Sequence, residues 1–201
     1  LHLCDYNLEK MDSTKIKDKN VLLAEVCMAA KYEGDSIKTH YTPYQNKYDD
    51  SASQLCTVLA RSFADIGDII RGKDLYLGYD DKEKERRRKL EEKLKKIFGK
   101  IYQELISTSD KNGEIEARYN DNEENYYELR EDWWTANRHT VWKALTCEAP
   151  EHASYFRATC GDGQSGAQAN KYCRCNDDKP GRDKPNTDPP TYFDYVPQYL
   201  R

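Results

Sequence analysis

Six basic residues lie on one edge of a single predicted helix, between residues 81 and 106. At about 100° per residue, their spacing of three or four positions keeps them within about 40° of one line. The six residues are Lys82, Arg86, Lys89, Lys93, Lys96 and Lys100. They would extend over about 27 Å at about 1.5 Å per residue. Such an unbroken row of cations suits a sulfated or carboxylated sugar chain, whose binding weakens as salt screens the charges.

A simpler interpretation of this row is a solvated helix face. Glu85 and Glu92 lie at helical spacing from basic neighbours and would form ion pairs within the helix. The formal net charge of the chain is -4, which argues against a general attraction to nucleic acid, heparin or anionic membranes. Any site for a polyanion must therefore be a local patch.

Catalytic signatures are missing from the sequence. Glu151 and His152 resemble half of a metalloprotease pair, but Phe156 stands where the second histidine would be needed. There is no Gly-x-Ser-x-Gly motif, and the glycine-rich run at 161–166 lies among cysteines rather than between a strand and a helix. The sequence therefore predicts a protein that is not an enzyme and holds neither cofactor nor metal.

The cysteines predict disulfide bonds formed in an oxidising compartment. The seven are Cys4, Cys27, Cys56, Cys147, Cys160, Cys173 and Cys175. A bond between Cys173 and Cys175 would be strained, so we expect each to reach a distant partner, with Cys147 and Cys160 as the nearest candidates. That pairing leaves three cysteines, of which one stays free or bonds outside the chain. The alternative is a zinc site in the last four, but their spacing fits the usual two-residue knuckles poorly.

The pattern of apolar residues predicts a mainly α fold with long loops. Apolar spacing of three to four predicts helices at 21–30, 53–70, 81–106 and 125–145. The stretch from 31 to 51 contains Pro43 and is predicted as a loop, and Gly72 is a natural helix stop. Polar breakers at 107–113 indicate a subdomain boundary, and residues 176–190 are predicted as a mobile surface loop.

Two groups of side chains on these helices have both a structural and a functional interpretation. Trp133 and Trp134 would stack on sugar rings if exposed, but the helical pattern favours packing in the core. A second group lies beside the apolar stripe of the 53–70 helix, where we expect a polar network at a helix junction rather than a ligand site. Its members are Arg61, Asp65, Asp68 and Arg71.

The run ARSFADIGDIIRG at 60–72 resembles the signature of the alpha-class Duffy-binding-like domains of the Plasmodium falciparum erythrocyte membrane protein 1 family. Other segments resemble the same family in the same order along nearly the whole chain. They are LCDYNLE at 3–9, LLAEVCMAA at 22–30, SQLCT at 53–57, REDWW at 130–134 and TYFDYVPQYLR at 191–201.

This resemblance implies a disulfide-stabilised helical Duffy-binding-like fold. Residues 1–110 would form subdomain 1 and residues 111–201 subdomain 2, whereas the family's third subdomain and N-terminal segment are not visible in the sequence. Domains of this family carry a further cysteine just upstream, which would be the partner of the odd cysteine.

The resemblance also implies a function. The parent protein would be a variant surface antigen on the extracellular face of the infected erythrocyte membrane, held there by other parts of a larger membrane protein. Its partners would be a host cell-surface receptor or glycan, and antibodies, but no nucleic acid. Some alpha-class members bind heparan-sulfate-like or blood-group sugars on red cells, in rosetting. The alternative is a structural spacer, exposed to antibodies, that supports a neighbouring receptor-binding module.

Overall fold

The computed structural model describes residues 6–16, 18–48, 52–76, 78–110, 112–161 and 166–201. Within these ranges the chain forms helices joined by loops, with isolated bridges in place of strands. The α-helices are α1 (Tyr6–Glu9), α2 (Lys19–Tyr48), α3 (Ala52–Arg71), α4 (Asp81–Thr108), α5 (Asn112–Tyr119) and α6 (Tyr127–Leu145). Two 3-10 helices follow at Phe193–Tyr195 and Gln198–Leu200. The mainly α fold class is therefore confirmed.

Helix α2 continues well past its predicted end, so the loop predicted from residue 31 is wrong up to Tyr48. The extension is held by packing against other helices. Ile37 is buried, and Glu33 accepts a hydrogen bond from Ser62 of α3 at 3.0 Å. A Cβ at Gly34 would collide with the carbonyl oxygen of Leu145, so glycine is what allows α2 and α6 to approach this closely. Tertiary contacts outweigh the weak local preference for helix.

Helices α3 and α6 form the centre of the core. Phe63 of α3 is fully buried, and its ring centroid lies 5.1 Å from that of Trp134 and 5.2 Å from that of Trp142. α6 also packs along α2, so one apolar cluster contains residues from both sides of the predicted boundary at 110. The division into subdomains at 1–110 and 111–201 stays a prediction.

Two disulfide bonds are present among the described residues, and one of them corrects the predicted pairing. Cys173 is bonded to Cys56 of α3, 117 residues earlier, rather than to Cys147 or Cys160. Cys160 is bonded to Cys175, as one of the predicted pairings had it. These bonds overturn the zinc alternative, because three of its four cysteines are oxidised.

Cys27 and Cys147 are free thiols. The predicted disulfide of Cys147 is therefore wrong in this structure, whereas a free Cys27 is one of the outcomes that the odd number of cysteines allowed. Burial raises the pKa of the Cys27 thiol to about 11 and also raises the pKa of Cys147. Both are therefore poor nucleophiles at neutral pH. Cys4 lies outside the described residues.

The chain after α6 is a long loop region, as predicted, but it is anchored at several points. Asp178 is buried, accepts a hydrogen bond from the backbone N–H of Lys184 at 2.5 Å, and forms an ion pair with Arg174 at 3.3 Å. Arg174 also donates to the carbonyl oxygen of Lys143 in α6 at 2.7 Å. The predicted surface loop at 176–190 is thus tied to α6.

Candidate functional site

Helix α4 is the element that positions the basic row. The side chain of Asp80 caps its first turn by accepting a hydrogen bond from the backbone N–H of Glu83 at 2.7 Å. One apolar face is buried against the rest of the fold, through Leu90, Leu94, Ile97, Phe98 and Ile101. Because this face fixes the rotation of the helix, the charged residues on the other faces point away from the core.

The structure places the six predicted basic residues on one continuous helix, but it does not leave all of them equally accessible. Lys93 is half-buried and the other five are exposed. The ammonium group of Lys89 lies 3.5 Å from the Glu85 carboxylate, which is the intrahelical pair that the solvated-face interpretation expects. Exposed pairs of this kind contribute only about 0.2–1 kcal/mol and are readily exchanged for other partners.

Two residues of the row are engaged inside the molecule. Lys93 donates a hydrogen bond to the carbonyl oxygen of Glu9 at 2.5 Å. Lys100 donates to the carbonyl oxygen of Ser13 and lies 3.5 Å from that of Ile16. These two lysines fasten the segment after α1 to α4. The row is therefore interrupted, and its exposed cations outside these backbone contacts are Lys82, Arg86, Lys89 and Lys96.

Three of the four residues that the sequence predicts to form a polar network on α3 do so: Asp65, Asp68 and Arg71. Arg71 pairs with Asp68 at 2.9 Å, and Arg201 bonds both Asp68 and Asp65, the latter at 3.0 Å. Burial raises the pKa of both aspartates above its usual value, and the nearby charge of Arg201 offsets only part of this rise. Arg61 is exposed and is not part of this network, although it lies one turn before Asp65 on the same side of α3. The network joins α3 to the end of the chain and leaves these side chains little freedom to bind a ligand.

Asp194 is the centre of a second buried cluster, which the sequence did not predict. Its carboxylate accepts two hydrogen bonds from Arg138, both at 2.8 Å, and one from the indole N–H of Trp134 at 2.9 Å. Asp194 is 1% exposed and Arg138 is 5% exposed. The only sequence signal was indirect, since Asp194 lies inside the run at 191–201 that resembles the family.

The three tryptophans belong to the core. Trp134 is fully buried, Trp142 is buried, and Trp133 is buried with its ring edge-on to Phe98, the centroids 6.1 Å apart. The structural interpretation of Trp133 and Trp134 is confirmed. Neither ring is available to stack on a sugar.

Arg130 is a further residue whose role was not predicted. Its guanidinium is fully buried and donates to the carbonyl oxygens of Ile70 at 2.6 Å and Ile69 at 3.1 Å, at the end of α3. It also pairs with Glu91 of α4 at 2.6 and 2.9 Å. One side chain of α6 therefore joins α3 and α4 and satisfies carbonyl groups that the end of a helix leaves without partners.

Within the described ranges, no helix combines the length and the apolar character that crossing a membrane requires.

These features define a mainly helical domain that is crosslinked by disulfides and presents a charged helix to solvent. The chain belongs to the Duffy binding domain family, whose model matches residues 1–201. None of the curated proteins compared with the chain matches it.

Solved structures of Plasmodium falciparum membrane protein 1 (PfEMP1) share this fold. The NTS-DBL1(alpha-1) domain from the varO strain is 38% identical, with a TM-score of 0.72 over 99% of this chain. The NTS-DBL1-alpha and CIDR-gamma double domain from the same strain is 39% identical, with a TM-score of 0.73 over 99% of this chain. The chain spans 40% of the first structure and 25% of the second.

A DBLbeta domain is also similar. The PfEMP1 IT4var13 DBLbeta domain, in a structure bound to ICAM-1, is 36% identical with a TM-score of 0.58. That match covers 73% of this chain and 34% of the DBLbeta chain.

Proposed function

We propose that this chain is part of a host-receptor-binding adhesion domain of a variant surface antigen. The observation that carries the proposal is the match of the whole chain to the Duffy binding domain family, together with 38–39% identity to PfEMP1 DBL1-alpha structures. The parent protein would be displayed on the extracellular face of the infected erythrocyte membrane, where antibodies also bind it. The chain would supply the first two subdomains, at 1–110 and 111–201. Its role is binding without catalysis.

The finer part of the proposal is that the exposed edge of α4 contacts acidic glycans on red cells in rosetting, of the heparan-sulfate-like or blood-group kind. Lys82, Arg86, Lys89 and Lys96 present four exposed cations along this edge. Lys93 and Lys100 act indirectly, because they hold the neighbouring segment against the helix. Binding by several exposed ion contacts is strongest at low ionic strength and decreases as salt is added.

Elution from a heparin column tests this site. Two variants are compared that carry the same change of charge on different edges of α4. In the triple variant Lys82→Glu, Lys89→Glu and Lys96→Glu, three cations of the basic row become anions. The matched control, Lys84→Glu, Arg88→Glu and Lys95→Glu, makes the same change of charge on other positions of α4. We expect the first variant to elute from heparin at clearly lower salt than the wild-type chain and the control to elute close to it. An equal shift in both variants would mean that only net charge matters, and would remove the basic row as a site.

The structural spacer remains a second candidate, and one observation favours it. Two of the six predicted cations are already bonded to backbone carbonyl groups of the same chain. If the isolated chain neither binds heparin nor attaches to red cells, while a longer protein that contains it does, the spacer is the better explanation.

A further inference from the structure

A groove of about 480 Å³ lies on α4, at positions other than those of the predicted basic row. It is bordered by α4, by the first residue of α6 and by the segment that follows α3. Pockets that bind ligands commonly have volumes of about 300–1,000 Å³. The sequence did not predict this groove, because Tyr127 of α6 is distant along the chain from the other lining residues and joins them only in the folded structure.

The floor of the groove is apolar. Ile69 at the end of α3 and Leu90 and Leu94 of α4 form it, and the rings of Tyr76 and Tyr127 stand at its sides. Tyr127 is 47% exposed, so its ring is a large apolar surface that faces solvent. A sugar ring can stack on a single exposed aromatic ring, but a sugar chain has no aliphatic side chains to pack into the apolar space between two such rings. A polypeptide does, and aromatic residues are enriched at protein interfaces for this reason.

The charged lining of the groove has a positive excess. Four basic residues (Lys84, Arg87, Arg88 and Lys95) face two acidic ones, Asp74 and Glu91. Both acidic residues already form ion pairs with arginines of the same chain, Asp74 with Arg87 and Glu91 with Arg130. The excess of two positive charges lies on a chain whose formal net charge is -4, so the groove differs in sign from the molecule as a whole.

The outer cations of the groove are available to a partner. Arg88 and Lys84 are 56% and 55% exposed, and their present partners are exposed carboxylates on the same helix, Glu85, Glu92 and Asp81. Such surface pairs contribute about 0–1 kcal/mol, so carboxylates of another molecule can replace them.

The walls of the groove are fixed before any partner arrives. The buried guanidinium of Arg130 bonds the end of α3 and Glu91 of α4 at once. Gly72, at φ 72°, turns the chain tightly beside it, where a Cβ would lie 2.8 Å from the Tyr127 ring and 3.0 Å from the Arg130 guanidinium. A preformed groove loses little conformational entropy on binding.

We propose that this groove binds an acidic amphipathic helix of a partner protein. Apolar side chains of that helix would pack against the exposed ring of Tyr127, above the buried floor formed by Ile69, Leu90 and Leu94, and its carboxylates would pair with Lys84, Arg88 and Lys95. From Lys84 to Lys95 the rim spans about 16 Å at about 1.5 Å per residue, which matches about three turns of a helix. This site is independent of the glycan site proposed above, since the two share no residue.

A phage-displayed library of 16-residue peptides tests the proposal on the intact chain. The library has apolar residues fixed at helical spacing, with Glu, Lys, Ser or Gln allowed at the other positions. We expect the selected peptides to be strongly enriched in Glu and to bind as helices. Selection of neutral or basic peptides, or no enrichment at all, would overturn the proposal.

Two matched variants then locate the binding site of a selected peptide. The groove variant Lys84→Glu and Lys95→Glu should weaken binding at least tenfold in a fluorescence anisotropy titration. Lys82→Glu and Lys96→Glu make the same charge change outside the groove and should leave the affinity within about twofold. Tyr127→Ala, which removes exposed apolar surface without changing charge, should also weaken binding. Equal effects of both charge variants on peptide affinity would contradict the proposal. So would a peptide that heparin displaces and that binds Tyr127→Ala as tightly as the wild-type chain, because its binding would then depend on charge alone.

Discussion

At the scale of single residues, buried arginines form many of the hydrogen bonds that join one element to another. Arg130 bonds α3 and α4 from α6, Arg138 bonds Asp194, and Arg201 bonds two aspartates of α3. A guanidinium suits this task because its planar set of donors can satisfy a carboxylate and several carbonyl groups together. Sequence alone gave no sign of these partners, since most of the pairs join residues more than fifty positions apart.

Replacement of Asp194 tests how much the fold depends on such a cluster. Asp194→Ala leaves the buried Arg138 without its carboxylate and Trp134 without its acceptor. Removing one partner of a buried pair typically costs about 3–5 kcal/mol, so we expect a loss of that order in the free energy of unfolding, measured by urea denaturation. Asp188→Ala, at an exposed position in the loop just before the 3-10 helix of Asp194, is the control and should change stability by no more than about 0.5 kcal/mol. Equal values for the two variants would mean that the cluster contributes nothing to stability.

At the scale of the elements, the sequence predicted the bounds of the amphipathic helices α3 and α4 well. It predicted the end of α2 poorly, because the second half of α2 has only weak local signals for a helix. α3 and α4 begin and end within two residues of their predicted bounds, because their apolar residues recur at helical spacing. The second half of α2 has no such pattern and contains Pro43, yet it remains helical because α6 and Ser62 of α3 hold it. For the candidate site, the position of the basic row on α4 could be predicted. The hydrogen bonds of Lys93 and Lys100 to backbone carbonyl groups could not be predicted, because they depend on the path that residues 9–16 take beside α4.

The contact between α2 and α6 gives a prediction at this scale. Gly34→Ala places a methyl group against the carbonyl oxygen of Leu145 and must push the two helices apart. Overpacking of this kind costs about 1–3 kcal/mol, which should appear as a lower melting temperature by circular dichroism. Gly113→Ala in α5 is the matched control, because nothing lies within 4 Å of a Cβ there. It should leave stability unchanged or raise it by up to about 1 kcal/mol. A Gly34→Ala protein as stable as the control would show that the helices are not in close contact.

At the scale of the whole molecule, the part of the chain that the structure describes is held by two disulfides of very different span. Cys56–Cys173 joins residues 117 apart, whereas Cys160–Cys175 joins residues 15 apart. Spacing along the chain could not predict the longer bond, because Cys56 and Cys173 become neighbours only when α3 and the loop after α6 come together. The groove on α4 escaped prediction for the same reason.

The two spans predict different losses when each bond is removed. A crosslink restricts the unfolded chain by about 3 kcal/mol for a 15-residue loop and by about 4.7 kcal/mol for a 100-residue loop. We therefore expect the double variant Cys56→Ala and Cys173→Ala to lose about 1–2 kcal/mol more than Cys160→Ala and Cys175→Ala, measured by guanidinium chloride unfolding without reductant. A larger loss from the short bond would indicate that local structure, rather than chain restriction, sets the effect.

The position of Arg201 has a practical consequence for anyone preparing shorter versions of this protein. Its side chain is only 4% exposed and bonds Asp65, Asp68 and the carbonyl oxygens of Phe193 and Val196. A truncation that stops one residue earlier would remove the cation between two aspartates whose pKa values are already raised by burial. Antibodies raised against such a shortened chain would be directed against an altered surface around Asp65, so any fragment prepared as an immunogen should retain position 201.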